Sequence, residues 1–268
     1  MDAPAEPVVA LFRSTLGSIV GYFAVVGLLF LLVWVWGERR FAARRIQPVK
    51  RFDGRQLRHE LLHTLITFVV GLASAGATVG LHAAGRTRLV DEVAPGDELA
   101  LVAWVLGIIA FNDAWFYFWH RLLHTPWIFR HVHAVHHRSV DVNPFSSYSF
   151  HAVESMILGA WVVPAALLLP VPLPALIAVQ GIGLANNVNS HLGYEFLPRF
   201  WVELPPFSWM SSSTYHNLHH QKYRGNYGLF FRFWDRLLGT EIPGYEGLFL
   251  ARRPRATRST APRADGAA

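Results

Sequence analysis

"LALVAWVLGIIAFNDAWFYFWHRLLH" runs from Leu99 to His124, and from Leu99 to Trp119 its only charged residue is Asp113. A helix of this length and composition crosses a hydrocarbon core of about 30 Å at 1.5 Å per residue. The stretch ends on His120 and His124, an i,i+4 pair that a helix places on one face. An apolar span that delivers paired imidazoles at its exit sets the expectation for the rest of the chain.

Working outward, the N-terminal part repeats the apolar pattern. Ser14 to Gly37 carries no charge, and a further span runs from about Leu61 to Leu81. The 14–37 stretch is too long for a signal-peptide core and has only Arg13 as a basic residue before it, so it is expected to remain as an anchor. On the other side, Ser155 to Ser190 has no charge at all but has prolines at 164, 170, 172 and 174. About 36 residues exceed one crossing, and proline breaks helices, so a helical hairpin that enters and returns is expected. The composition agrees: the 268 residues are 52% hydrophobic and 16% charged, against about 25% charged in soluble domains. Ten tryptophans and nineteen phenylalanines suit bilayer interfaces. With no cysteine, disulfides, thiolate metal sites and cysteine-ligated iron–sulfur clusters are excluded.

Charge sets the sidedness. Between the first two spans lie Arg39, Arg40, Arg44, Arg45, Lys50, Arg51, Arg55 and Arg58 against Glu38, Asp53 and Glu60. The next loop has Arg86 and Arg88 against Asp91, Glu92, Asp97 and Glu98. The positive-inside rule puts the first loop in the cytoplasm, so the third span exits there at His120 and the hairpin returns there. The formal charge of +6 is read as topology rather than nucleic-acid binding. The expectation is an all-α, multi-pass integral membrane protein: three N-terminal transmembrane helices, a hydrophobic hairpin, and a cytoplasmic His-rich helical cap. Residues 1–98 are expected to form the N-terminal helices and basic loop, 99–250 the domain that carries the histidine clusters, and 251–268 a disordered basic tail.

Fourteen histidines remain to be placed. "HVHAVHH" sets His133, His136 and His137 at i, i+3 and i+4, and "STYHNLHHQKYRGNYG" (Ser213–Gly228) repeats that spacing with His216, His219 and His220. Residues three and four apart are neighbours on a helix. A lone histidine is usually a surface or interface residue, and His82 is read that way. Eight rings in three clusters on one side of a membrane are different, because packed without a partner they would repel or stay unsatisfied. Metal ions resolve that. Eight imidazoles exceed the needs of one ion, so two fit better, and imidazole alone suits Zn, Cu, Fe or Ni.

Asp113 sits within an apolar span, where a carboxylate is costly and functional by default. Positions 113, 117, 120 and 124 share a helix face, so Asp113 is expected to support His120 or a neighbouring ring, with Tyr117 beside it.

"HRLLH", "HAVHH" and "HNLHH", with "HRSVDVNPFSSYSFHAVE" after the second box and "NYGLFFRFWDRLLGT" after the third, resemble the fatty acid hydroxylase/sterol desaturase superfamily. The likeness is to bacterial members and the sterol C-5 desaturase branch, and covers about residues 100–245. It implies an O₂-dependent non-haem di-iron enzyme that hydroxylates or desaturates a lipid, with the eight histidines as ligands. Members add a His-x-x-x-His between the second and third boxes; here "NVNSH" aligns His191 as a ninth ligand and puts Asn187 where the other histidine would stand, binding through its carbonyl oxygen or a water. His151 also matches a family position, as ligand or loop brace. His131 is out of spacing and is not expected to ligate. Trp115, Phe116, Phe118, Trp119, Phe145 and Phe150 are candidates to line a route for the lipid.

Two other classes compete with this reading. "RHELLH" gives His59, Glu60 and His63, a His-Glu-x-x-His match of the kind an intramembrane zinc protease uses. It lacks a third-ligand motif in a later span and leaves the clustered histidines unused. A metal transporter would place ligands near the bilayer midplane, whereas these clusters are expected just outside it.

Electrons must come from elsewhere. The chain has no iron–sulfur cysteines, no Gly-x-Gly-x-x-Gly, and only about a dozen residues ahead of the first span, so a ferredoxin or cytochrome b5-like donor is expected. Lys222, Arg224, Arg232 and Arg236, with the basic first loop, are the expected docking charges for an acidic donor.

Overall fold

The computed structural model describes residues 17, 19–48, 52–94 and 96–252. Lys50, Arg51 and residues 253–268 of the basic tail lie outside the described residues.

Among the described residues the architecture is all-helical, with three isolated β-bridges and no strand. Helix α1 covers residues 19–29 and continues as a π-helical segment, Phe30–Val35, ending two residues short of the expected span. Helix α2 (Gly54–Ala83) starts where Asp53 caps it, its carboxylate accepting from the amides of Arg55 and Gln56. Helix α3 (Glu98–Leu123) contains the quoted apolar stretch, and His124 closes its last turn.

Helices α2 and α3 are each long and apolar enough to cross a membrane. Their apolar windows are only 6% and 22% buried within the chain. Val69, Leu99 and Leu106 are 67%, 85% and 61% exposed, so these faces need an apolar medium rather than water.

The chain then turns through α4, an α-helical start (Pro126–Ile128), a π-helical turn (Phe129–His133) and an α-helical end (Ala134–His137). The wide π turn lets His133 face inward while His131 stays exposed. The proline-rich stretch forms α5 (Ala152–Gly159), α6 (Val162–Leu168) and α7 (Leu173–Ser190). Thus α6 and α7 turn at Leu169–Pro172, as the prolines required. Ile108 and Ile109 of α3 pack with Trp161, Ala165, Val171 and Val179 in one hydrophobic cluster.

The cap comprises α8 (Phe200–Glu203), α9 (Ser213–Lys222), α10 (Phe233–Leu237) and α11 (Tyr245–Ala251). The N-terminal part is tied to α9, where Gln47 Nε2 donates to Asn217 Oδ1 at 3.2 Å, and to the turns after α7 and α4. Trp34 Nε1 donates to Leu192 O at 2.8 Å, and Arg45 bonds Asp141 at 2.7 Å with its guanidinium 4.5 Å from the Trp34 ring. Arg252, expected in the tail, instead donates to Ile46 O at 2.9 Å.

Candidate metal centre

Every residue from Ser213 to His220 on α9 is buried, although most are polar. Such a helix needs internal partners for each group. Ser212 caps it by accepting from Tyr215 N at 3.2 Å, and His216, His219 and His220 project into the space left by α3, α4 and α7.

The rings gather into two groups. His120, His124, His133, His137 and His219 form one; His136, His191, His216 and His220 form the other. Within each, one ring nitrogen per residue lies within 4.8 Å of all the others. All nine histidines singled out from the sequence are in one group or the other. Asn187 is in neither; its amide donates to Ser147 O at 2.6 Å. His151 braces α5, its Nδ1 accepting from Val153 N, and His131 bonds Trp127 O on the surface.

The outer nitrogens fix the protons. His120 Nδ1 meets Tyr227 O at 2.9 Å, His219 Nδ1 meets Gly225 O at 2.7 Å, His136 Nδ1 meets Ser149 O at 3.3 Å and His191 Nδ1 meets Asn187 O at 2.8 Å. A carbonyl oxygen only accepts, so each of these Nδ1 atoms carries the proton and each Nε2 presents a lone pair. Those lone pairs then face neighbouring rings: His136 and His191 Nε2 are 3.3 Å apart with a lone pair on each, and His120 Nε2 lies 3.2 Å from His133 Nε2. Two acceptors at hydrogen-bond distance repel unless a cation lies between them. Protonating the rings does not relieve this, because burial, reinforced by neighbouring rings, holds His133, His136, His137, His216 and His220 well below the usual imidazole range. Burial also pushes His191 and His219 down to about 4. All-imidazole groups of five and four converging lone pairs fit a transition-metal ion in each.

One loop, residues 225–231, serves two of these rings. Gly225 adopts φ +85°, and a Cβ there would meet Thr240 O, so glycine is required where the chain delivers its carbonyl to His219. Asp235 holds the same loop through Tyr227 N (2.9 Å) and Gly228 N (2.8 Å), and also accepts from the Tyr215 and Thr240 hydroxyls.

Three expectations are corrected here. Asp113 does not bond a ring: its Oδ1 accepts from Phe230 N (2.7 Å) and Phe231 N (3.1 Å), because those amides have no other partner at that depth. It acts on His120 only through the loop that supplies Tyr227 O. The Tyr117 hydroxyl bonds Thr240 and Arg121, away from both groups. Arg232 and Arg236 are not docking charges, since Glu241 and Glu246 pair with both and Arg232 is fully buried under Tyr245.

Sequence reasoning missed Glu154. Its Oε1 lies 2.7 Å from His133 Nδ1, and both side chains are buried. The signal was present in "SFHAVE", where an acid sits in the first turn of an otherwise apolar helix. Glu154 also lines a cavity of about 10 Å³ between the two groups, bounded by His133, His136, Phe116, Phe150 and Leu229. That is room for about one water. Of the six aromatics proposed for a substrate route, only Phe116 and Phe150 line it; Trp115, for example, is fixed by a 2.9 Å bond to Ile157 O. The His59-Glu60-His63 motif holds no metal group: Glu60 is buried and bonded to Asn143 and Gln56, and His59 bonds Val135 O.

A family model for fatty acid hydroxylase matches residues 104–240, which carry all nine rings. The chain belongs to the fatty acid hydroxylase family. It is 33% identical over 141 residues to methylsterol monooxygenase 1 of Gallus gallus, covering 53% of this chain and 47% of that protein. It is 28% identical over 241 residues to cholesterol 25-hydroxylase of Homo sapiens, covering 90% of this chain and 85% of that protein. A Danio rerio cholesterol 25-hydroxylase-like protein is 30% identical over 155 residues, 57% of this chain and 61% of that one. The chain thus spans about half the length of the methylsterol monooxygenase it matches. No solved structure matches the chain significantly.

Proposed function

We propose that this protein is a membrane-embedded, di-iron lipid hydroxylase that inserts one oxygen atom of O₂ into an unactivated C–H bond of a sterol-type lipid. The observation that carries this reading is the pair of buried all-imidazole groups with lone pairs converging on two points. Family membership makes iron the metal, and the relatives named as monooxygenase and hydroxylase favour oxygen insertion over desaturation.

His120, His124, His133, His137 and His219 would hold one iron, and His136, His191, His216 and His220 the other. Iron at both groups supplies the reduction of O₂ and the abstraction of hydrogen from the substrate. The overall balance is R–H + O₂ + 2e⁻ + 2H⁺ giving R–OH + H₂O. The chain's own part is to fix the rings through their Nδ1 bonds and to keep bulk water out of the cavity with Phe116, Phe150 and Leu229. The cavity is far smaller than a lipid, so this apolar wall yields when the substrate enters from the bilayer side.

In this reading α1, α2 and α3 span the membrane, α5–α7 form an inserted hairpin, and the basic loop sets the His-rich cap in the cytoplasm. Residues 99–250 form the catalytic unit. Two molecules of an acidic one-electron carrier, of the ferredoxin or cytochrome b5 kind, each give up one electron per turnover. Exposed Lys222 and Arg224 remain as docking charges after Arg232 and Arg236 are removed from that set.

The test is lipid mass spectrometry of cells expressing the protein against cells expressing a His219→Ala, His220→Ala variant. A gain of one oxygen on a sterol, absent in the variant, is expected. A loss of two hydrogens makes the protein a desaturase, and identical lipids in both strains refute lipid oxidation.

A further inference from the structure

Nine rings divide five and four, yet the outer nitrogens of the two groups differ in a second respect. In the four-ring group, His136 and His191 donate to backbone carbonyls and His220 Nδ1 has no partner. In the five-ring group, His120 and His219 donate to carbonyls and His137 Nδ1 has no partner, but His133 faces the Glu154 carboxylate at 2.7 Å. Among these contacts it is the one carboxyl group; burial pushes it well above the usual carboxylate range, and a cation held by His133 would favour its charged form.

Glu154 is held for this contact. It lies in the first turn of α5, whose start is capped by the His151 ring on Val153 N, and the next residue ties α5 to α2 through Thr67 Oγ1 and Ser155 Oγ at 2.9 Å. Its side chain is fully buried, and its second oxygen, Oε2, has no hydrogen-bond partner. His133 is the one side chain bonded to this carboxyl, which the His151 backbone amide also supports, and so deep a placement is costly unless the partner returns the energy.

We infer that Glu154 is a positioning residue that fixes His133 as the strongest imidazole donor and makes the five-ring group the tighter of two unequal metal sites. The inference rests on the two-metal reading above. A carboxylate that accepts the Nδ1 proton locks the ring's tautomer and orientation and raises the basicity of Nε2. The four-ring group has one donor fewer, and the acceptors behind His136 and His191 are backbone carbonyls, so its ion is the exchangeable one.

The test uses full-length protein in nanodiscs, loaded with cobalt(II) and then challenged with excess chelator, with release followed by the cobalt absorption. Wild type is expected to release two ions in two resolved phases. His191→Ala should speed the fast phase alone, assigning it to the four-ring group. Glu154→Gln, which keeps the shape and removes the charge, should speed the slow phase by about 10- to 100-fold. Glu154→Asp keeps the charge and should lie between Glu154→Gln and wild type, which covers the case where Glu154→Gln does not fold. Wild type with two ions but a Glu154→Gln slow phase at the wild-type rate overturns the inference and leaves the proposed function standing. The inference also fails if both phases accelerate equally, or if Glu154→Asp releases no more slowly than Glu154→Gln. Wild type that takes up fewer than two ions overturns the two-metal reading, and this inference with it.

Discussion

An imidazole is an unusual core residue because it has two opposite polar ends, and here both ends are committed. The consequence appears when the ion is removed. His191 and His219 are pushed down to about 4 by burial, whereas in an unfolded chain they titrate near 6.5. Below 6.5 the unfolded chain binds more protons than the fold does, so stability must fall as pH drops. The cost is absent above about 6.5, grows through the window and levels off below about 4, reaching about 3 kcal/mol per ring. Melting of metal-stripped protein should therefore be flat from pH 8 to 7 and fall steadily toward pH 5. Equal melting temperatures at pH 7.5 and 5 would show that the rings are not packed neutral. At this scale the sequence was informative about which rings and silent about their partners. Spacings of three and four residues are local and survive folding, so eight of the nine histidines could be picked out, while His191 came only from the family resemblance of "NVNSH". Asp113 could not be assigned, because its partners, Phe230 and Phe231, lie 117 and 118 residues away. Glu154 was overlooked although an acid in the first turn of an apolar helix was visible locally, because the ring it faces, His133, lies 21 residues away.

Elements matter here chiefly through their ends. His191 is the C-terminal cap of α7, and the turn that follows is locked into the N-terminal part of the chain. Gly193 adopts φ +77°; a Cβ there would press on Val142 O and lie 2.5 Å from the Trp34 ring. Its carbonyl accepts from Ile46 N at 3.1 Å. Gly193→Ala should therefore destabilise the protein by more than about 1 kcal/mol, through both the left-handed backbone and the clash. Gly181→Ala, within α7 and with nothing within 4 Å, should be neutral or stabilising by about 0.5–1 kcal/mol. Chemical denaturation of the two variants beside wild type checks the contrast in sign, and a Gly193→Ala variant as stable as wild type would refute it. The break between α6 and α7 was legible because charge-free length and proline spacing are properties of the chain alone. How nine rings divide five and four was not. That division depends on the angle at which α9 meets α3, α4 and α7, which no local pattern encodes.

For the molecule as a whole, α2 and α3 are apolar and exposed while α9 is polar and buried. Its charge distribution also differs from the sequence count, since Arg45, Arg232 and Arg236 neutralise internal acids. Lys222 and Arg224 stay exposed near the five-ring group, on either side of Tyr223, whose ring packs 5.2 Å from that of His137. Replacing both with Glu should weaken coupling to an acidic electron carrier several-fold and abolish its salt sensitivity, with bound iron unchanged. Exposed charges are screened over about 10 Å at 0.1 M salt, so wild-type turnover should slow as salt rises. Carrier titrations at two salt concentrations, with iron assays on the same samples, decide this; unchanged carrier kinetics in the double variant would exclude the surface.

The bond from Arg252 to Ile46 O joins residues 206 apart, and Tyr22 reaches Ser147 across 125. The five-ring group itself needs His120 and His219 together. On a ribosome, the apolar helices therefore emerge, and can enter a bilayer, well before the last three rings have been translated. The ion sites are among the last features this chain can complete. Synthesis halted before residue 216 leaves the five-ring group without His219 and the four-ring group without His216 and His220.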